Sequence, residues 1–235
     1  MTTITDICNM YLLLTAATAA EIQPGIDFLE KNNFTLQPHD TEVLITGVGA
    51  VATTYSLTHS LINHRPDLVI QAGIAGSFRQ NKAGEVVTVK QDAFGDTGVW
   101  ENDRFNNIFD LKLADDNQAP FTNRSLTNPH QKLLQLSGQE QVGAITVNEI
   151  TTDAKRIEWY KHNLSPAVES MEGAAFHYVC LQENIPFIQV RSVSNYVGER
   201  DKTKWIMQAA VKNLNEKIIS LLKDLQKYDE TYFRL

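Results

Sequence analysis

A chain of 235 residues, 43% of them hydrophobic, can bury one sizeable core, and α/β chains of this length commonly stay undivided, so one domain over residues 1–235 is expected. The formal charge of -7 comes from 28 acidic and 21 basic side chains spread along the chain without a Lys/Arg cluster, which argues against nucleic acid as a partner. The two cysteines, Cys8 and Cys180, follow no metal-ligand spacing and point to free thiols in a reduced compartment, with no disulfide and no metal.

The first apolar run, residues 11–14 followed by small residues 16–20, has the outline of a secretory signal. No Lys or Arg precedes it, however, and Asp6 does, so a buried opening strand in a cytoplasmic protein is the expectation. Nothing approaches the roughly 18 apolar residues of a membrane span. Short apolar runs at 11–17, 43–46, 68–72, 86–89, 143–147 and 187–193 predict strands. Amphipathic stretches at 21–31, 51–63, 153–162, 172–182 and 204–227 predict helices. Alternation of this kind implies crossover connections and a three-layer α/β domain, its central mixed, mostly parallel sheet flanked by helices. Ligands of such sheets bind beyond the carboxyl ends of the strands. Residues 94–127 are dense in Asp, Asn, Gly, Thr and Pro and lack a helical period, the mark of a binding loop or an interface element.

Five places carry candidate chemistry. Gly47-Val48-Gly49-Ala50-Val51-Ala52 matches a dinucleotide turn, but the strand that follows ends without the acid a ribose would need, so a tight turn with close helix packing is favoured. Gly73-Ile74-Ala75-Gly76-Ser77 would let backbone N–H groups approach an anion, a hydroxyl or a water, or would be a plain turn. Glu21 starts a helix, where the dipole alone accounts for a carboxylate. Glu172, between Met171 and Gly173-Ala174-Ala175, is costly to bury without partners, and vicinal sugar hydroxyls would serve it. Asn195 is a turn residue or cap on one reading; on the other, its amide matches a purine edge.

Together, Gly73 to Ser77, Met171-Glu172 and Arg191 to Asn195 resemble the nucleoside phosphorylase and nucleosidase superfamily over most of the chain. Within it, Phe94-Gly95-Asp96-Thr97-Gly98, Glu169-Ser170-Met171-Glu172-Gly173-Ala174-Ala175 and Ser194 to Asp201 with Trp205 resemble the futalosine hydrolases, which remove hypoxanthine from futalosine in an alternative menaquinone pathway. The resemblance implies a single α/β domain, no cofactor, a purine nucleoside substrate and a homo-oligomer, a dimer by analogy with the nucleosidases. It implies that Glu21 activates the attacking water and that Met171 and Glu172 line the ribose, with Glu172 bonded to its hydroxyls and Ser170 a further substrate-binding residue. Ile74, Ala75 and Gly76 would face the substrate, and Thr151 and Thr152 would contact the purine. Asn195 stands where methylthioadenosine nucleosidases carry an Asp. Phe78, Arg79, Phe94, Trp100 and Arg104 are candidates for the carboxyphenyl arm.

The chemistry also follows from the reaction. Breaking an N-glycosidic bond places positive charge on the ribose and negative charge on the leaving base, so groups must be preorganised for both. An Asn can accept from N7–H and donate to O6, which suits hypoxanthine, whereas an Asp suits the 6-amino group of adenine. A carboxylate after the first strand, with no Arg in the Gly73 to Ser77 turn, favours water over phosphate as nucleophile. The alternatives are a methylthioadenosine or adenosylhomocysteine nucleosidase, a nucleoside-binding module without turnover, and a dinucleotide binder.

Overall fold

Successive side chains of a strand leave opposite faces, so β1 (Tyr11–Ala16), which buries Leu12, Leu13 and Leu14 alike, requires cover on both sides. The computed structural model, which describes residues 9–36, 39–80, 82–101 and 104–233, supplies it. The strands are β1, β2 (Thr35–Leu36), β3 (His39–Ile45), β4 (Leu68–Ser77), β5 (Val86–Phe94), β6 (Gly98–Glu101), β7 (Arg104–Asn107), β8 (Leu126–Thr127), β9 (Glu140–Thr146), β10 (Val168–Ser170) and β11 (Phe187–Tyr196). The helices are α1 (Ala19–Lys31), α2 (Ala50–His64), α3 (Gln131–Leu136), α4 (Ala154–Asn163), α5 (Gly173–Glu183), α6 (Met207–Leu225) and α7 (Glu230–Phe233), with a 3₁₀ turn at Lys202–Lys204.

Leu12, Leu14, Ile70 and Ile188 pack with Ile22 and Leu29 of α1 and with Leu214, Ile218 and Leu222 of α6. Leu13, Val69 and Phe187 face the other way, onto Leu57 and Leu61 of α2 and Phe176 and Val179 of α5. Each fully buried Leu or Phe stabilises the fold by roughly 1.5–3 kcal/mol, so the two apolar layers fix the sandwich. The architecture is the mixed three-layer α/β domain that strand and helix alternation predicts.

One feature of the sheet was not expected. Its strands run in the order β10-β9-β5-β11-β4-β1-β3-β2, and β10 also pairs antiparallel with the far end of β4, so β4, β11, β5, β9 and β10 close into a ring. Ala75, Val87, Val142, Ala144 and Val193 form an apolar cluster on these strands. Closure sets Gly76 of β4 opposite Glu169 on one side and Asn195 on the other. Three distant segments thereby meet at one strand end.

Residues 94–127 are less irregular than their composition suggests, since β6 and β7 pair as a hairpin. Of the two cysteines, Cys180 is a buried free thiol, and Cys8 lies outside the described residues. Among the described residues, no helix is long and apolar enough to cross a membrane.

Candidate active site

The carboxyl ends of β1, β4, β10 and β11 surround a cavity of about 370 Å³, lined by Glu21, Ile74, Ala75, Gly76, Ser170, Met171, Glu172 and Asn195 together with apolar Val48, Val197, Trp205 and Val211. The two acids and the carboxamide singled out in the sequence therefore share one cavity.

Glu21 reaches it from the first turn of α1. One carboxylate oxygen accepts from the Thr18 N–H and hydroxyl, both at 3.0 Å, and the other from the Ile74 N–H of β4 at 3.1 Å. The bond to Thr18 is the local cap that composition alone would explain; the bond to Ile74 ties the acid to the sheet edge. Gly73 allows this approach, because a Cβ there would lie 2.3 Å from Arg191 Nη1 and 3.2 Å from Glu21 Oε1. Just beyond Glu21, helix α1 breaks at Ile22, with Pro24 two residues on, where proline's missing N–H disrupts the regular ladder. Buried Asn215 of α6 fills the gap: its Nδ2 donates to the Glu21 carbonyl at 2.9 Å, and its Oδ1 accepts from the Gly25 N–H at 2.9 Å. A side chain thus bridges the two backbone groups that an unbroken helix would join directly.

Glu172 is buried at the start of α5. Its Oε1 accepts from the Gly49 N–H at 3.0 Å, and its Oε2 lies 3.4 Å from Arg191 Nη1. Gly49 precedes α2 at φ +92°, a conformation that favours glycine. The glycine turn at Gly47 to Ala52 therefore presents a helix N-terminus to an anion, and that anion is the protein's own Glu172. A pyrophosphate would compete with a carboxylate already in place, which removes the basis of the dinucleotide reading.

Arg191, in the buried middle of β11, is 1% exposed. It donates to Gln71 Oε1 at 3.0 Å and to the Ile74 carbonyl at 3.4 Å as well as pairing with Glu172. It is the buried positive charge that faces the Glu172 carboxylate beneath the cavity. Asn195 is the penultimate residue of β11 and follows a register shift, its Oδ1 accepting from the Ser194 hydroxyl at 2.7 Å and its Nδ2 donating to the Tyr196 carbonyl at 3.0 Å. One lone pair and one N–H of the amide stay available to a ligand.

The profile of the phosphorylase superfamily matches residues 33–225. The chain belongs to that superfamily. It is 29% identical over 185 residues to a futalosine hydrolase of Acidothermus cellulolyticus, covering 77% of this chain and 74% of that one. It is also 29% identical over 204 residues to a 5'-methylthioadenosine/S-adenosylhomocysteine nucleosidase of Tolumonas auensis, covering 81% and 84%. In fold it matches the structure of futalosine hydrolase of Helicobacter pylori, with TM-score 0.77 and 15% identity, over 92% of this chain and 98% of that one.

Within this superfamily member, other expected residues lie elsewhere. Gly73 to Ser77 is not a turn but the continuation of β4, and the Ile74 N–H is already taken by Glu21. Thr152 is exposed, and buried Thr151 gives its N–H to Glu169 at 3.1 Å, leaving Ile150 as the wall residue of that loop. Phe94 and Arg104 line a second cavity, under the excursion. Trp100 meets Phe105 at a tilt and Trp159 edge-to-face, Phe78 meets Tyr160 edge-to-face, and Arg79 pairs with Glu140 at 2.6 Å. The excursion folds over α4 rather than over the cavity, so Phe94, Trp100 and Arg104 do not reach it, while Phe78 and Arg79, just past β4, are engaged by Tyr160 and Glu140. Glu169, which reads in sequence as an ordinary acid near a helix start, is instead a buried strand residue whose carboxyl is pushed up by burial. Among the described residues no cluster of His, Cys, Asp and Glu side chains could hold a metal.

Proposed function

We propose that this protein hydrolyses the N-glycosidic bond of futalosine, releasing hypoxanthine and dehypoxanthine futalosine, as a step toward menaquinone. At the coarser level it is a hydrolase acting on N-glycosyl compounds, the class to which both named kinds of relative belong. The observation that carries the reading is the convergence of Glu21, Glu172 and Asn195 on one cavity.

Glu21 orients and deprotonates a water beneath the anomeric carbon, and its charge favours the cationic sugar. Glu172 takes the ribose hydroxyls, and Asn195 accepts from N7–H while its free N–H donates to the 6-oxo group of the departing base. Two features support futalosine over an adenine nucleoside. Asn195 offers a donor where an ionised Asp has none, and Arg200 supplies a cation in the cavity wall, 5.5 Å from the Trp205 ring, for an acidic arm. Met171, Ser170, Ile74, Ala75 and Gly76 shape the sugar end. The second reading, a methylthioadenosine or adenosylhomocysteine nucleosidase, draws on the relatives that carry that name.

The protein acts as a homodimer. Val51, Tyr55 and Ile62 of α2, 81%, 74% and 69% exposed, form an apolar face that a second copy would cover and that continues to Val48 at the cavity. Light scattering should give twice the chain mass. The deciding assay is chromatographic: futalosine should yield free hypoxanthine at the same rate with and without phosphate. Preferential release of adenine from methylthioadenosine would establish the second reading, and phosphate dependence would overturn hydrolysis.

A further inference from the structure

Helix α5 is not capped by its own N-cap residue. An N-cap side chain ordinarily accepts from one of the next backbone amides. Glu172 makes no such bond, its carboxylate lying instead between the Gly49 N–H and Arg191. The orphan amides of α5 are met from outside the helix. Gly173 N–H donates to Ser170 Oγ at 3.2 Å, and Ala174 N–H to Thr146 Oγ1 of β9 at 2.7 Å. The Thr146 hydroxyl sends its own proton to Oδ1 of fully buried Asp92 on β5, at 3.0 Å, so its lone pairs face the helix. Asp92 fits its place closely. A Cβ on Gly173 would stand 2.2 Å from Asp92 Oδ2, and the Ala93 N–H and Gln189 Nε2 donate to the carboxyl at 2.8 and 3.4 Å.

We propose that Asp92 is a positioning residue of this site: through the Thr146 hydroxyl it caps α5 in place of Glu172, which leaves the Glu172 carboxylate free to bind the ribose hydroxyls. The groups facing Asp92 are Thr146 from β9 and Gln189 and Arg191 from β11, and His177 from α5 meets Gln189 rather than Asp92 itself. Burial raises Asp92 to about 7, yet Oδ1 accepts from Thr146 whether or not Oδ2 carries a proton, so the cap persists across that titration. The inference rests on the nucleosidase reading, since it assigns Glu172 to a sugar.

The test compares kcat/KM for the better of the two candidate substrates with that for its 2′-deoxy counterpart. Glu172→Ala defines full loss of discrimination between them. Thr146→Val, which keeps the volume but removes the acceptor, should cut the wild-type preference for the ribonucleoside about tenfold, the effect of losing one well-placed hydrogen bond to a charged group. Thr146→Ser should hold the preference within about twofold of wild type. If Thr146→Val folds and slows both substrates in equal proportion, or if Thr146→Ser loses the preference, Asp92 and Thr146 are merely structural and the proposal fails. Should Thr146→Val not fold, Thr146→Ala, which also lacks the acceptor, takes its place with the same two outcomes, and Asp92→Asn, whose carbonyl still accepts from Thr146, must keep the wild-type ratio. A wild type that cleaves neither nucleoside overturns the nucleosidase reading separately; calorimetric affinities for the same ribo and deoxy pair then read the same ratio, and binding of neither overturns both.

Discussion

Asp92 makes the pH dependence of stability a quantitative test of the buried polar layer. Burial raises its carboxyl from 3.8 to about 7, against the opposing pull of Arg191 and of the hydrogen bonds from Thr146 and Gln189. Between those two values the unfolded chain has lost this proton while the folded chain keeps it, so stability falls as pH rises, by about 1.4 kcal/mol per unit. The contribution is complete below 3.8 and gone above the folded value, a total of roughly 4 kcal/mol. The protonated state also answers two orphan atoms. Gln189 Oε1 and His177 Nε2 have no hydrogen-bond partner, and burial lowers His177 to about 4, so its ring is neutral, with Nδ1 donating to the Leu126 carbonyl at 2.9 Å. With a proton on Asp92 and the Gln189 amide turned over, Asp92 donates to Gln189 and Gln189 to His177, and both orphans are satisfied. Asp92→Asn lacks the titration but keeps the shape. Urea unfolding of both proteins at one concentration should show the wild type losing roughly 3 kcal/mol relative to Asp92→Asn between pH 5 and pH 8. Because His177 titrates in both, the difference isolates Asp92. Stability curves that stay parallel over that range would refute the assignment.

Glu21→Gln should lower kcat by at least about a hundredfold, the scale of general-base catalysis, with KM changed less than about threefold; steady-state kinetics with unimpaired kcat would remove Glu21 as the base. Asn195→Asp should move the ratio of hypoxanthine to adenine release toward adenine by about tenfold, and an unchanged ratio would end the account of base selection given for Asn195. Asn215→Leu leaves the Glu21 carbonyl and the Gly25 N–H unpaired at the α1 kink, so it should cost about 2–3 kcal/mol in urea melts and reduce kcat more than it raises KM.

How far the sequence reached follows from where its signals are local. The six predicted strands all exist, because runs such as Leu68-Val69-Ile70 are buried on both faces and carry no competing period. Strand β10 was missed: three residues, two of them polar, show no alternation, and its partners Gly76 and Ile145 lie far away in sequence. The last helix was expected from 204 but begins at Met207, since Asp201 caps a separate 3₁₀ turn by accepting from the Thr203 N–H. Thr151 and Thr152 were placed at the purine, whereas Glu169 draws the Thr151 N–H inward and leaves Ile150 at the wall. The signal for Arg191 is present in the sequence, a charge inside the strand-forming run 187–193, and a charge buried there needs a partner, which is Glu172.

That pairing bears on the choice between water and phosphate. Glu21, Glu169 and Glu172 all border the cavity, while the buried cation Arg191 is already engaged by Glu172, and Arg200 stands at the exposed rim beside Trp205. A phosphate seated as nucleophile would approach the Glu21 carboxylate, and two like charges about 4 Å apart repel by about 4 kcal/mol at an effective dielectric of about 20. That repulsion is worth about three decades in affinity for each unit of phosphate charge. Water carries no such cost, and the same carboxylate that repels phosphate can take water's proton. On the role proposed for Glu21, its charge selects the hydrolytic route by excluding the anionic nucleophile as much as by recruiting the neutral one.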